Sequence, residues 1–395
     1  MRFPDSARRA RLARRHALHP AHRLDDPTDV ARALVAYHAT DASTVHLAAA
    51  ARLRQPSVGA VERALYDDRT LVKQLAMRRT LFAFPSETLP AVWGSASARV
   101  AVQQRAQLAR DLERHGVTDD GAGWIERARA AVLERLSGGD ELTARQLREE
   151  LPVLHGRTKV ITGSRWDLAD VPFAPRLLTL LGAEHRIVRA HSEGHWRTSR
   201  PRWTLTEYWL PAVPDPLAPR QGYAHLVQAW LGAFGPGTEA DLAWWLGATK
   251  SSVRTALRDV DAVPVALDSG ATGFVIPGDE APDDAPDAPW AALLPTLDPT
   301  TMGWRERAFY VTPELVPLLF DSNGNAGTTA WINGRVVGCW VQDGDGSVRV
   351  ICCAPVSPAH AELLDAEARR LTSFLDGVVI SNVYKSRMMK GEPLP

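Results

Sequence analysis

Near residue 240 the chain spells out a short unit that leaves few folds open. Thr238 stands before a run with apolar residues at Leu242, Trp245 and Leu246, and Asp241 follows it by three, the spacing of a capping box. Gly247 ends that helix. Thr249 opens another, with Val253, Ala256 and Leu257 at i, i+3 and i+4 spacing. A strand at 263–267, a turn at Asp268-Ser269-Gly270 and a second strand near 273–276 complete it. Two short helices followed by a two-stranded ribbon predict a winged helix, with the helix over 223–234 as the first of its three helices.

The same order recurs twice upstream. In residues 121–212, a helix over 124–136, a break at Gly138-Gly139, a helix over 143–151 and a third opened by Pro172, Pro175 and Arg176 precede strands at 186–190 and 195–205, joined at Glu193-Gly194. In residues 24–120, a helix over 57–66 leads to the strand-like run at 71–84, and a polar helix over 97–115 bridges to the next unit. Three degenerate copies predict an α+β protein, mainly α, with winged-helix modules at 24–120, 121–212 and 213–277. Their spacing is too irregular for a solenoid. Residues 278–289, GDEAPDDAPDAP, are acidic and Pro-rich and read as a linker or an exposed loop. From 290 to 395 the character changes. Asn333-Gly334 between apolar runs signals a type I′ hairpin, another strand lies at 347–353, and a terminal helix at 358–375 closes a small β-rich domain.

The net charge is zero over 395 residues, but its distribution is uneven. Residues 2–23 carry seven Arg against one Asp, and 185–202 carry five Arg and three His against one Glu. The first cluster, within residues 1–23, reads as a mobile basic arm or a helix touching phosphates, or else as an extension without function. The second falls on a predicted ribbon, where basic side chains meet phosphates in winged modules. The candidate DNA contacts are Arg78 and Arg79 in the first module, Arg176, Arg189, Arg197, Arg200 and Arg202 in the second, and Lys250 and Arg254 in the third. The alternative for each is a solvated surface charge.

No apolar run is long enough for a transmembrane helix and no secretory segment is evident, so a cytoplasmic protein is expected. The stretch His191-Ser192-Glu193-Gly194-His195 lacks the H-E-x-x-H spacing, and no P-C-x-x-C completes its H-x-E, so no metal site is expected. There is neither a Walker loop nor a G-x-S-x-G elbow, and no cofactor or nucleotide is implied.

Residues 31–53, ARALVAYHATDASTVHLAAAARL, gather His38, Thr40 and Asp41 just ahead of an alanine-rich helix that Asp41, Ser43 or Thr44 can cap. By themselves these residues read as a helix joint with a partly buried His. The run also resembles the first block of the AlkZ/YcaQ-like winged-helix DNA glycosylases that unhook interstrand crosslinks. That block reads L-Q-x-Q-D or L-Q-x-D-D before a helix ending in A-R-L. Here Tyr37-His38-Ala39-Thr40-Asp41 occupies it and Ala51-Arg52-Leu53 closes it. The runs at 71–85, 293–305 and 332–340 resemble later blocks of the family. The resemblance implies that the catalytic pair falls on His38 and Thr40, neither of which is the family's Gln or acid.

It further implies a monofunctional glycosylase acting on duplex DNA with bulky N7-alkylated purines, working as a monomer. An N7-alkylated base already carries positive charge while attached and departs neutral, so no general acid is needed and a placed water suffices. A neutral His38 would accept that water's proton while Thr40 holds it, and activity would then fall below about pH 6.5. Two other classes stay open. One is a non-catalytic DNA-binding protein of the same architecture, and the other is a protein that sequesters a genotoxin in an aromatic pocket lined by some of its 13 Trp.

Overall fold

The computed structural model describes residues 2–158, 170–382 and 384–392. The chain opens with β1 (Arg2–Phe3), α1 (Asp5–Arg15), α2 (Pro27–Ala33), β2 (Tyr37–His38), α3 (Ala42–Arg52) and α4 (Val58–Glu62). Asp26 and Asp41 cap α2 and α3 by accepting their first N–H groups. A hairpin follows, β3 (Leu71–Leu75) and β4 (Leu81–Pro85), and β2 lies antiparallel to β4.

Helices α5 (Leu89–Val92) and α6 (Ala98–Arg114) lead into a second group. It comprises α7 (Gly121–Leu136), β5 (Leu142–Thr143), α8 (Ala144–Glu150), α9 (Ala174–Ala183) and the hairpin β6 (Ile187–Ser192) and β7 (Pro201–Leu205). A third follows α10 (Thr206–Trp209), with α11 (Pro219–Phe234), β8 (Gly237–Thr238), α12 (Glu239–Leu246), α13 (Lys250–Asp259), β9 (Val263–Leu267) and β10 (Thr272–Val275).

Each group repeats one device. A two-residue strand precedes two helices and then pairs with the second strand of the closing hairpin: β2 with β4, β5 with β7, β8 with β10. In the second and third groups the helix start is fixed by a reciprocal cap, Thr143 with Gln146 and Thr238 with Asp241.

The remainder holds β11 (Ala291–Leu294), α14 (Val316–Leu319), β12 (Thr329–Ile332), β13 (Arg335–Gln342), β14 (Val348–Cys352) and α15 (Pro358–Leu375), with the strands in one antiparallel sheet in that order. Ile332 pairs with Arg335, so the turn has two residues, Asn333 at φ 48° and Gly334 at φ 77°. Both are left-handed, as a type I′ hairpin requires.

The largest apolar core is shared between groups. It runs from Leu12 through Phe82, Trp93, Trp230 and Trp245 to Trp304 and Trp331, and so spans the first group, the third and the C-terminal sheet. The second group has its own core around Trp124, Leu178 and Trp203. Helix α3 sits among several cores. Val45, Ala48 and Leu53 join the core behind the β2–β4–β3 sheet, Leu47 joins the one beneath α15, and Ala51 joins the largest.

Three expectations are corrected. Of the expected mobile arm, residues 2–23 are built into the fold. Arg2 and Phe3 add a parallel strand to β9, α1 follows, and Arg8 and Arg11 are buried. Residues 278–289 are an exposed loop, but a tethered one rather than a free linker. Asp279 accepts from Arg11 at 2.9 Å and from Arg15 at 2.6 Å, while Asp283 lies 3.4 Å and 3.6 Å from the same two guanidiniums. The anchoring of each segment was not visible because its charge partners lie more than 260 residues away. The returning strand of the second hairpin also starts later than expected, at Pro201, after a longer turn.

Candidate active site and nucleic-acid interface

The β2–α3 joint is held from below. Ten of the eleven residues of α3 are buried, five of them alanines or Val whose small size lets neighbours approach on every side. Near its end Arg52, fully buried, meets fully buried Asp298. All five of its N–H donors are used. Nε donates to His16 O at 3.0 Å, Nη1 to Ala48 O and Asp298 Oδ2 at 2.8 Å, and Nη2 to Asp298 Oδ1 at 2.7 Å and Thr300 Oγ1 at 2.8 Å. A buried charge is tolerated only when satisfied in this way. At the other end Asp41 Oδ1 accepts from Ser43 N at 3.0 Å and Ser43 Oγ at 2.7 Å.

On this joint His38 and Thr40 part company. His38 is 2% exposed, and its ring lies 5.0 Å from that of Phe82, its partner across the sheet. Nδ1 accepts the Thr40 N–H at 3.4 Å, which leaves the proton of the neutral ring on Nε2. Burial, reinforced by the Arg78 guanidinium, pushes the imidazole down to about 3. The expected loss of activity below pH 6.5 is therefore withdrawn, because His38 is neutral throughout that range. As a base in direct contact with bulk water it is also misplaced. Thr40 is exposed. Its Oγ1 accepts Leu81 N–H at 3.3 Å, and its own proton has no acceptor among the described residues.

The nine basic candidates separate as well. Arg176 pairs with Asp111 at 2.5 Å, Arg202 with Glu193 at 2.9 Å and Arg254 with Glu239 at 2.7 Å. Arg189 lies over the Trp203 ring at 4.5 Å, and burial pushes it down to about 10. Arg197 donates to Val379 O. Arg78 lies over Trp244 at 4.0 Å. Arg79, Arg200 and Lys250 are exposed. The basic ribbon of the second group is thus partly neutralised within the chain. Its tip rests on other elements, with Trp196 5.0 Å from the His46 ring of α3 and 6.1 Å from Phe374 of α15.

A family model described as DNA glycosylase AlkZ-like matches residues 31–374. The chain belongs to the AlkZ-like DNA glycosylase family. Among solved structures its fold is similar to that of Streptomyces sahachiroi DNA glycosylase AlkZ, with a TM-score of 0.73 at 20% identity over 96% of this chain and 98% of that one. A search of curated protein sequences returns no match.

Within this AlkZ-like chain, residues not singled out from the sequence adjoin the joint. His46, one turn into α3, is buried with Nε2 unpartnered among the described residues, and burial pushes its ring down to about 3. Lys73 Nζ donates to Tyr66 OH at 2.8 Å and is pushed down to about 8 by burial and by Arg189. The Tyr66 ring stacks on His191 at 5.5 Å. A histidine in an alanine-rich helix was the available signal for His46; nothing local marked Lys73. Among the described residues, no helix is long and apolar enough to cross a membrane.

Proposed function

We propose that this chain is a monofunctional glycosylase of duplex DNA that hydrolyses the N-glycosidic bond of bulky N7-alkylated purines, including those in interstrand crosslinks. A role in self-resistance to a DNA-alkylating agent, as a cytoplasmic monomer, fits that chemistry. The three repeated groups act as tandem winged-helix modules, and the C-terminal sheet braces them. Support for the winged reading is the recurrence of a short strand paired to the last strand of each hairpin.

One observation carries the catalytic reading. Thr40 presents a hydroxyl to solvent at the joint where the family's polar block falls, and a neutral His38 holds its backbone from behind. The alkylated purine departs as a neutral base, and the sugar passes through an oxocarbenium-like state. Thr40 keeps a lone pair and its O–H for one water at that sugar, and the water's proton passes to solvent. His38 is a positioning residue. A neutral imidazole adds no charge beside the developing cation.

The test is base release from duplexes carrying N7-methylguanine or a crosslink, in single turnover. Thr40→Val is expected to slow release about 10²-fold with DNA binding intact, the typical worth of one placed dipole, and Thr40→Ser to retain most of it. His38→Gln, which keeps an acceptor for Thr40 N, should stay active, and the rate should be flat from pH 8 to pH 5. Release unaffected by Thr40→Val would remove the assignment. The burial of His38 favours one competitor, a DNA-binding protein without catalysis, which predicts salt-dependent binding and no free base from either duplex.

A further inference from the structure

Three arginine side chains gather where the β3–β4 turn, α6 and the α12–α13 joint touch the segment after Gly303. Arg78 and Arg307 both lie over the Trp244 ring, at 4.0 Å and 5.3 Å. Arg99 reaches the same corner. Its Nη2 donates to Leu246 O at 3.3 Å, and a Cβ built on Gly247 would stand 3.1 Å from that Nη2 and 3.0 Å from Arg78 N. Arg307 Nη2 donates to Gly324 O at 3.2 Å. These acceptors are neutral. The Nε of each arginine is buried without a partner, and none of the three pairs with a carboxylate among the described residues. Burial and the neighbouring Arg307 push Arg78 down to about 10, with no acid to offset them.

The contrast lies within the same molecule. Arg52 uses all five donors, and Arg11 and Arg15 share two aspartates. Each of these arginines, which tie distant segments together, is supplied with an anion, although Arg11 also leaves its Nε unpartnered. The backbone at Arg78 is costly too. Arg78 and Arg79 have φ of 52° and 60°, consecutive left-handed residues without glycine, at roughly 1–2 kcal/mol each. Such strain is kept where the surroundings impose it and commonly marks a working site. Planar guanidinium forks match phosphate oxygens.

We infer that Arg78, Arg99 and Arg307 form a pocket for one phosphate group, supplied by the DNA backbone, that seats the strand beside Thr40. Leu81, whose N–H Thr40 accepts, is three residues from Arg78. The inference rests on the glycosylase reading for its ligand, but its test uses undamaged DNA and needs no base release.

Binding of an undamaged duplex is measured by anisotropy across a salt series for the full chain and for Arg78→Gln, Arg307→Gln and the double variant. Each single variant should weaken binding about tenfold at 0.1 M salt and lower the slope of log K against log salt by about one. The double variant should go little further, because one phosphate is shared. Melting temperatures should hold or rise, since an uncompensated cation is removed; a fall with unchanged binding would mean a structural role and overturn the proposal. Should a variant fail to fold, the intact protein decides. Inorganic phosphate at constant ionic strength should raise its melting temperature and compete with the duplex. Stabilisation by phosphate with no competition would point to a free phosphate ligand and overturn the DNA assignment, and neither effect would overturn the pocket. Base release by the unaltered protein from a damaged duplex reports separately on the glycosylase reading.

Discussion

Arg52 is fully buried and Arg78 half-buried, and what surrounds them sets their roles apart. Arg52 faces a carboxylate in the second half of the chain and has every donor engaged, so its task is to fix α3 against the segment at 298–300. Arg52→Ala strands Asp298 in the core and is expected to cost about 3–5 kcal/mol, read from urea unfolding. Adding Asp298→Leu should recover part of that loss, because no buried charge is then left alone; a loss below about 1 kcal/mol in the single variant would contradict the burial of the pair. In the sequence this residue was only the Arg of an A-R-L ending. A charged side chain in an alanine run hints at a buried partner, but nothing near it names position 298. His38 shows the converse. Its place in the block was visible, while its inward rotation depends on β2 pairing with β4 and on Phe82 beside it.

At the scale of elements, the short N-terminal strand and α1 belong to the third group. Phe3 packs with Val265, Leu267 and Val275, and Arg2 pairs with Asp268 at 2.9 Å. Truncation to residue 16 should therefore give little soluble protein, or one whose amides in β9 and β10 exchange at least tenfold faster, whereas removing a mobile arm would change neither. Elements whose signals are local were readable. Thr238 with Asp241 forms the expected reciprocal cap, at 3.0 Å and 3.1 Å, and α15 spans the residues its spacing indicated. Yet Asp241 also accepts the N–H groups of Arg305 and Glu306 at 2.8 Å and 2.9 Å. The cap was legible because both partners lie within four residues. The second pair of bonds was not, because it joins positions more than 60 apart.

For the whole molecule, three buried histidines set the response to acid. His16, His38 and His46 are each pushed down to about 3, chiefly by burial. They stay neutral in the folded chain but take up protons near pH 6.5 once it unfolds. Stability is then fully present above pH 6.5 and falls as the pH drops toward 3, with each histidine adding a slope of up to about 1.4 kcal/mol per pH unit. Urea midpoints between pH 7 and pH 4 should decline steadily, and less steeply in His38→Gln; constant midpoints would be incompatible with three enclosed imidazoles. Helices, hairpins and the repeat were legible because they obey short-range rules. The shared core and the paired or unpaired state of each arginine arise from assembly, which local periodicity does not encode.

The stitching of the first residues into the third group also orders events during synthesis. Arg2, Arg11 and Arg15 meet Asp268, Asp279 and Asp283 only after the more than 260 residues between them have been made. At ribosomal rates of about 5–20 residues per second, roughly 15–50 s pass between the emergence of that cationic leader and the arrival of its counterions. Until then those guanidiniums lack the carboxylates they meet in the folded chain, so residues 2–15 dock on the third group only after its closing hairpin has been made.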